Sequence, residues 1–235
     1  MNYIVEKIKE DIYVIAVWDN TWNSYNNCYV IIEEKGTILI DTGKIEHTSY
    51  LVKGLEQIGK HEKDVNTIII THGHRDHVGG SSEIFRNAEK YIHSCDLKLL
   101  EPTMRDSYKT IKYDEGVIGN LQYILLKHHT EGSIVLYSLK HKIVFVGDFH
   151  CFFGESIQDQ SIIGNWNEIR VKTIGNVREI VLTEGSFDKY RLHEYFSGLR
   201  IIRNFEIDYL CTGHGMVLKG DIDKFLKELI SCELT

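Results

Sequence analysis

Within six residues, His72-Gly73-His74-Arg75-Asp76-His77, the chain sets three imidazoles and one carboxylate. Such a density of nitrogen and oxygen donors makes a ligand set for a borderline divalent cation such as zinc. Thr67-Ile68-Ile69-Ile70 before it reads as a buried strand, and Gly79-Gly80 follows. A strand end running into a glycine-containing loop lets several side chains converge on one point, which a straight helix or strand cannot do. A solvated polar loop with incidental histidines is much the weaker reading.

Four donors in one loop cannot complete a site for two ions, so further ligands must come from elsewhere. His128-His129-Thr130-Glu131-Gly132-Ser133 reads as a turn between strands. Asp148 ends a strand in Val146-Gly147-Asp148, and His214 ends another in Cys211-Thr212-Gly213-His214-Gly215. Strand ends and turns are where a sheet scaffold usually carries its site. Taken singly, each of these also reads as a surface histidine or a turn aspartate.

The elements that must position these groups follow from the apolar pattern. Ile4–Ile8, Ile12–Trp18, Cys28–Ile32 and Thr37–Ile40 are rich in Ile, Val and Tyr and predict strands, with Lys35-Gly36 as a hairpin turn. Asp19–Asn27 is expected to be a longer loop carrying Trp22 and Tyr25. A helix is predicted over His47–Gly59, with Leu51, Leu55 and Ile58 on one stripe. Val65–Thr71 and Lys90–His93 predict strands, and Gly79-Gly80 opens a short helix. Leu121–Leu126, Ile134–Ser138 and Ile143–Val146 predict three more strands, followed by an irregular segment from Gly147 to about Gln160. Helical stripes appear at Trp166, Ile169 and Thr173 and at Tyr195, Leu199 and Ile202, with a strand expected between them at Ile180–Thr183. The strand Tyr209–Thr212 and a helix bearing Ile222, Phe225, Leu226, Leu229 and Ile230 close the chain.

A faint internal echo pairs Thr37–Gly43 with Lys142–Asp148, and Thr67–His74 with Tyr209–Gly215, as two facing α/β halves would. No linker or composition break interrupts residues 1–235, so a single domain is expected.

Composition narrows the function. The chain is 43% hydrophobic and 26% charged, which excludes disordered and fibrous classes. The formal charge of −7 argues against broad binding to nucleic acid or to an anionic membrane surface. The longest apolar runs are of strand length, too short for a membrane span. Met1–Lys7 lacks a basic stretch followed by an apolar run, and five cysteines occur without a C-x-x-C spacing. Both features lead one to expect a reduced, cytoplasmic protein.

These motifs resemble the metallo-β-lactamase superfamily, the αββα hydrolases with an H-x-H-x-D-H loop. Ile38–Gly43 resembles the family's strand ending in D-x-G, and Thr71–Gly80 matches the metal loop fully. Gly147-Asp148 resembles the bridging aspartate and Gly213-His214-Gly215 the last histidine, so the likeness spans nearly the whole chain. The family's G-H-T-P-G-S segment is matched at 128–133 with two departures, His128 for Gly and Glu131 for Pro. The ligand is therefore assigned to His129, with His128 as a competitor and Glu131 as an unusual nearby acceptor.

The resemblance implies an α/β sandwich of two mixed sheets flanked by helices. It also implies that His72, His74 and His129 hold one divalent ion, that Asp76, His77 and His214 hold the other, and that Asp148 bridges them. Zinc is the expected metal, with iron or manganese as alternatives. Two such ions sharing a water lower its pKa towards neutrality and generate hydroxide at physiological pH. Asp76 could then shuttle a proton. Asp41 reads either as an acceptor that fixes the tautomer of a ligand histidine or as a turn cap before Gly43.

Other residues divide between site and scaffold. Trp22 and Tyr25 either line a substrate pocket or pack at its rim. His150 and Cys151 follow Asp148 closely, but a spare histidine near a site is more often a hydrogen-bonded structural group. Phe152, Phe153 and Trp166 read either as an apolar wall of the site or, the stronger reading, as ordinary core, and Glu184 and Ser186 read as turn residues after a strand. His47, His61, His93, His141 and His193 read as surface residues.

The expected activity is metal-dependent hydrolysis of an ester, thioester or lactone in a small soluble substrate, because a bridging Asp148 resembles the glyoxalase II and lactonase branches. Three alternatives remain: phosphodiester or nuclease chemistry, a mononuclear iron dioxygenase acting on persulfides, and a non-catalytic metal-binding domain. No nucleic-acid or membrane partner is expected, and a homo-oligomer is compatible with the sequence.

Overall fold

β-branched and aromatic residues in the first forty positions do form antiparallel strands, and they continue into a parallel set. The computed structural model describes residues 2–81, 84–154 and 161–234. The first sheet contains β1 (Tyr3–Lys9), β2 (Ile12–Asp19), β3 (Ser24–Glu33), β4 (Gly36–Ile40), β5 (Val65–Ile69), β6 (Glu89–His93) and β7 (Tyr108–Ile111), in that order. The second contains β8 (Glu115–Ile118), β9 (Leu121–Leu125), β10 (Ile134–Ser138), β11 (Ile143–Gly147), β12 (Ile163–Gly164), β13 (Tyr209–Thr212) and β14 (Val217–Lys219). Its spatial order is β12-β14-β13-β11-β10-β9-β8. The helices are α1 (Thr48–Gln57), α2 (Arg75–Val78), α3 (Pro102–Arg105), α4 (Asn167–Val181), α5 (Ser186–Lys189), α6 (Leu192–Ile202) and α7 (Ile222–Ser231).

Period-two alternation decides which face of the first sheet meets which layer. Ile12, Val14 and Ala16 of β2, with Ile38 and Ile40 of β4, turn into the core shared with the second sheet. Ile15 and Leu39 turn the other way, to Leu51 and Leu55 of α1. In β11, Ile143, Val144, Phe145 and Val146 are all buried, because the strand is covered on both faces. Phe196 and Leu199 of α6 and Phe225 and Leu229 of α7 belong to the same core. The result is the expected αββα sandwich of two mixed sheets flanked by helices.

The internal echo has a structural counterpart. β4 pairs parallel with β5, and β11 pairs parallel with β13, so each sheet turns from antiparallel to parallel at matching strands. The residues that follow these four strands are Asp41, the His72–His77 loop, Asp148 and His214.

Several boundaries differ from the sequence expectation. β3 begins at Ser24, so the loop shrinks to the hairpin tip 20–23 with Trp22 at its end. Polar Asn26 and Asn27 disguise this strand, yet both are buried. Ile180–Thr183 is no strand. Ile180 and Val181 finish α4, where Ile169, Val177 and Ile180 pack on the core at helical spacing and override the β-branched run. β7 and β8, four residues each and without an apolar run, were not expected from the sequence. The helical turn of the metal loop begins at Arg75 and runs on into Gly79–Ser81. Residues 148–154 are irregular beyond the end of β11, and 155–160 lie outside the described residues.

Candidate metal centre

All seven sequence-predicted side chains meet where the parallel strand pairs end. His72 Nε2 lies 3.1 Å from His74 Nδ1, which lies 2.9 Å from His129 Nε2. Beside this trio, Asp76 Oδ2 lies 3.1 Å from His214 Nε2 and 3.9 Å from His77 Nε2. Asp148 stands between the two groups. Its Oδ2 is 3.6 Å from His129 Nε2 and 3.4 Å from His214 Nε2, and its Oδ1 is 3.2 Å from His77 Nε2. His72, His74 and His129 could hold one cation, and Asp76, His77 and His214 another.

A test of fit comes from the hydrogen bonds. His77 Nε2 and Asp148 Oδ1 are buried without a hydrogen-bond partner. A buried polar atom left unsatisfied costs about 1–3 kcal/mol, and a cation between these groups would satisfy both. The donor set, five imidazoles and two carboxylates without a thiolate, suits a borderline divalent metal.

Local chemistry explains how each donor is aimed. Asp41 ends β4 at φ 57° and accepts from Thr71 N–H and Thr71 O–H, both at 2.7 Å. It also lies 2.8 Å from His77 Nδ1. A carboxylate only accepts here, so Nδ1 carries a proton and Nε2 is the nitrogen turned to the centre. Of the two readings of Asp41, the structure therefore supports the tautomer-fixing one. The His129 turn is tied by Leu126 N–H to Ser133 O at 2.9 Å and by Thr130 N–H to Ser133 Oγ at 2.8 Å. His214 is held from the opposite sheet. Asn27 N–H donates to Gly213 O at 2.9 Å, and its side-chain amide donates to Thr212 O and Gly215 O. The Asn26 amide donates to Asp76 O at 3.1 Å. A Cβ at Gly213 would meet the Asp148 carboxylate at 2.2 Å, so only glycine allows that approach.

Charge is distributed unevenly across the centre. Burial, with His77 beside it, holds His72 well below its ordinary value, and burial lowers His129 to about 4. In the other group burial is outweighed. Asp148 and Asp76 raise His214 to about 9, and Asp148 and Asp41 hold His77 well above the usual range. His214 and His77 in turn pull Asp76 down to about 2 despite its burial. Without metal, His72 and His129 therefore present neutral nitrogens, whereas the other group shares protons between histidines and carboxylates.

The neighbouring residues sort clearly. His128 turns away: its ring packs on Phe149 and Tyr195, with Nδ1 3.3 Å from Arg191 O. Glu131 also turns out, to Arg191 at 2.9 Å. Trp22 is half-exposed with its ring 6.3 Å from that of His214, while Tyr25 is buried against Trp18. Phe153, expected in the core, is exposed with its ring 5.2 Å from His214; Phe152 is buried, and Trp166 packs on the core. Trp22 and Phe153 lie 6.2 Å apart between two clefts. One, of about 420 Å³, runs from Asp148 past Phe152 to Ile169 and Val177. The other, of about 500 Å³, runs from Asp76 past Arg75 to Leu99 and Met104.

His150 is buried, lowered to about 4 by that burial, and lies 3.1 Å from the Tyr195 hydroxyl, as a structural histidine would. Cys151 sits close to Asp148 and is raised well above its ordinary value by burial and that carboxylate, which leaves it a thiol. His93, expected at the surface, is buried and accepts from Cys95 N–H at 3.3 Å. Glu184 is exposed in the turn between α4 and α5, and Ser186 is buried at the start of α5, so neither follows a strand.

Three supporting residues escaped the sequence reading: Asn26, Asn27 and Asp96. The asparagines looked like loop polarity. Asp96 lies just after β6, and its position at a strand end was the available signal.

The chain is similar to several known proteins. An N-acyl homoserine lactonase from Bacillus cereus is 25% identical over 197 residues, covering 67% of this chain and 76% of that protein. A flavo di-iron protein variant from Thermotoga maritima superposes with a TM-score of 0.75 at 21% identity, covering 97% of this chain. This chain spans only 60% of that protein's length. A chemotaxis sensor ODP, described as a peroxy diiron species, superposes with a TM-score of 0.68 at 17% identity, covering 98% of this chain and 94% of that one. The sequence profile of the Metallo-beta-lactamase superfamily matches residues 22–214, which include all seven candidate metal residues, and this chain belongs to that superfamily.

Proposed function

We propose that this protein is a dinuclear metal-dependent hydrolase that cleaves an ester, thioester or lactone in a small substrate. The observation that carries the reading is Asp148, whose two carboxylate oxygens face His77 and His214 on one side and His129 on the other. When bound, two divalent ions would activate a water and polarise the scissile carbonyl.

The chain's own residues supply the rest. In this reading Asp76, held ionised by His214 and His77, would take up a proton and pass it to the leaving group. The apolar walls of the flanking clefts, Phe152, Ile169 and Val177 on one side and Leu99 and Met104 on the other, exclude water from a small carbonyl compound. The B. cereus relative, a lactonase by name, agrees with this class. A polymeric nucleic acid would need a basic track, whereas acids outnumber Lys and Arg by 34 to 27.

The test joins metal analysis of protein purified without added metal to a substrate panel of aryl esters, lactones, acyl-thioesters and bis-aryl phosphates, with single-stranded RNA at low and high salt. Carbonyl turnover that disappears with chelation supports the reading. Phosphodiester cleavage at least about a hundredfold faster, with steep salt inhibition on RNA, overturns it in favour of a nuclease.

A second reading is favoured by the donor set itself. Imidazoles and carboxylates without thiolate suit iron as well as zinc, and two structural neighbours are di-iron proteins by name. Iron in the isolated protein, dioxygen consumption and no ester turnover would select that reading. Among the described residues no helix is long and apolar enough to cross a membrane.

A further inference from the structure

Asp96 lies in the short 3-10 turn Ser94–Leu99 after β6 and is wholly buried. Its Oδ2 accepts Gly73 N–H at 2.8 Å and the Thr130 hydroxyl at 2.6 Å, and its Oδ1 accepts Gly132 N–H at 2.7 Å. Gly73 sits between His72 and His74, and Thr130 directly follows His129. One carboxylate therefore ties the loop after β5, in the first sheet, to the turn before β10, in the second.

The contact is built from both sides. With Thr130 O–H donated to Asp96, the Ser133 hydroxyl 2.7 Å away donates to Thr130 Oγ1 and accepts Thr130 N–H. The two glycines make room. A Cβ at Gly132 would lie 2.5 Å from Asp96 Cγ, and one at Gly73 would lie 2.9 Å from the Asp96 carbonyl oxygen. Three donors converge on a group that has only acceptors, so an amide in its place would turn N–H groups against at least one of them.

We propose that Asp96 is a positioning residue that sets the separation between the His72–His74 loop and His129, and so the geometry in which those three histidines take up a divalent ion. This rests on the metal-dependent reading above. Buried hydrogen bonds that orient metal ligands commonly carry about 10–100-fold in metal affinity. Because the hydrogen-bond partners of Asp96, Gly73, Thr130 and Gly132, adjoin only the first trio, the group Asp76, His77 and His214 should be spared.

The experiment compares wild type, Asp96→Asn, Thr130→Val and Thr130→Ser. Each is titrated with Zn²⁺ against a chromophoric chelator, its Co²⁺-loaded visible spectrum is recorded, and its thermal midpoint is measured separately. The expected result is a loss of about tenfold or more in affinity for one of two ions in Asp96→Asn and Thr130→Val, with an altered cobalt spectrum. The second ion should bind as in wild type, and Thr130→Ser, which keeps the hydroxyl, should restore both readouts. A Thr130→Val protein that melts earlier yet binds both ions with unchanged affinity and spectrum would overturn the proposal and leave Asp96 a purely structural residue. If Asp96→Asn does not fold, the Thr130 pair decides alone. Wild type that takes up no divalent ion overturns the metal reading itself; two-ion wild type with an unaffected Thr130→Val overturns only the role of Asp96.

Discussion

The Asp41 carboxylate lies 2.8 Å from His77 Nδ1, and the opposite ring nitrogen, Nε2, faces Asp148 at 3.2 Å. One residue at the end of β4 thus determines which nitrogen a histidine 36 positions later can offer to the centre. The same Asp41 caps Thr71 through two hydrogen bonds, so tautomer and loop path are set together. Replacing it by Asn would keep the volume but allow an N–H to face Nδ1. Asp41→Asn is expected to weaken the ion held by Asp76, His77 and His214 by about 10–100-fold, leaving the other ion nearly unchanged. Chelator competition on the purified variant checks this.

Asp148→Ala should lower metal content from about two ions per chain to about one, measured by elemental analysis after dialysis. The carboxylate faces both groups, so its loss removes a donor from each, and the loss falls hardest on the group of His77 and His214, which lie 3.2 and 3.4 Å from it. Retention of two tightly held ions would exclude the bridging role.

His129→Ala should lose the first ion and most activity, a fall of at least about a hundredfold. His128→Ala should retain metal and rate, because the His128 ring packs on Phe149 and Tyr195 away from the centre. Its effect should be on stability, about 1–2 kcal/mol from lost packing, read from denaturant unfolding.

Metal uptake should release protons. His214 is raised to about 9 by Asp148 and Asp76 and is protonated at pH 7 in the metal-free protein. Calorimetric titration in buffers of different ionisation enthalpy should therefore report at least about one proton released per chain at pH 7. The sign for stability follows from the same shift. A histidine whose folded value lies above its unfolded value of about 6.5 adds stability that is fully present below that pH. The metal-free fold should lose that contribution as pH rises through about 9, and metal-loaded protein should not. Thermal midpoints across pH 6 to 10, with and without metal, separate the two.

Much of the centre was legible because metal donors are rare residue types and leave dense local signatures. His72-x-His74-x-Asp76-His77 is such a signature, and Asp148 and His214 stood at strand ends that apolar runs made visible. The supporting residues were not legible. Asn27 donates to carbonyls around His214, and Asp96 joins two loops, but asparagine and aspartate are common in ordinary turns. Only partners remote in sequence distinguish them.

The strand boundaries repeat the lesson. Ile180–Thr183 carries β propensity, yet Ile180 and Val181 complete α4 because helical spacing from Ile169 places them on the core. Phe153 looked like core beside Phe152, but only Phe152 is buried in this irregular segment, and Phe153 emerges beside His214.

By itself, the sequence determined donor chemistry, the alternating layers and the family pattern, since these depend on residue type and short spacing. Tertiary structure alone decided where the His128 ring goes, which nitrogen of His77 faces the centre, and how Asp96 couples the two halves. Those outcomes depend on hydrogen bonds between segments far apart along the chain, whose partners are selected only when both sheets have packed and water has been excluded from their ends.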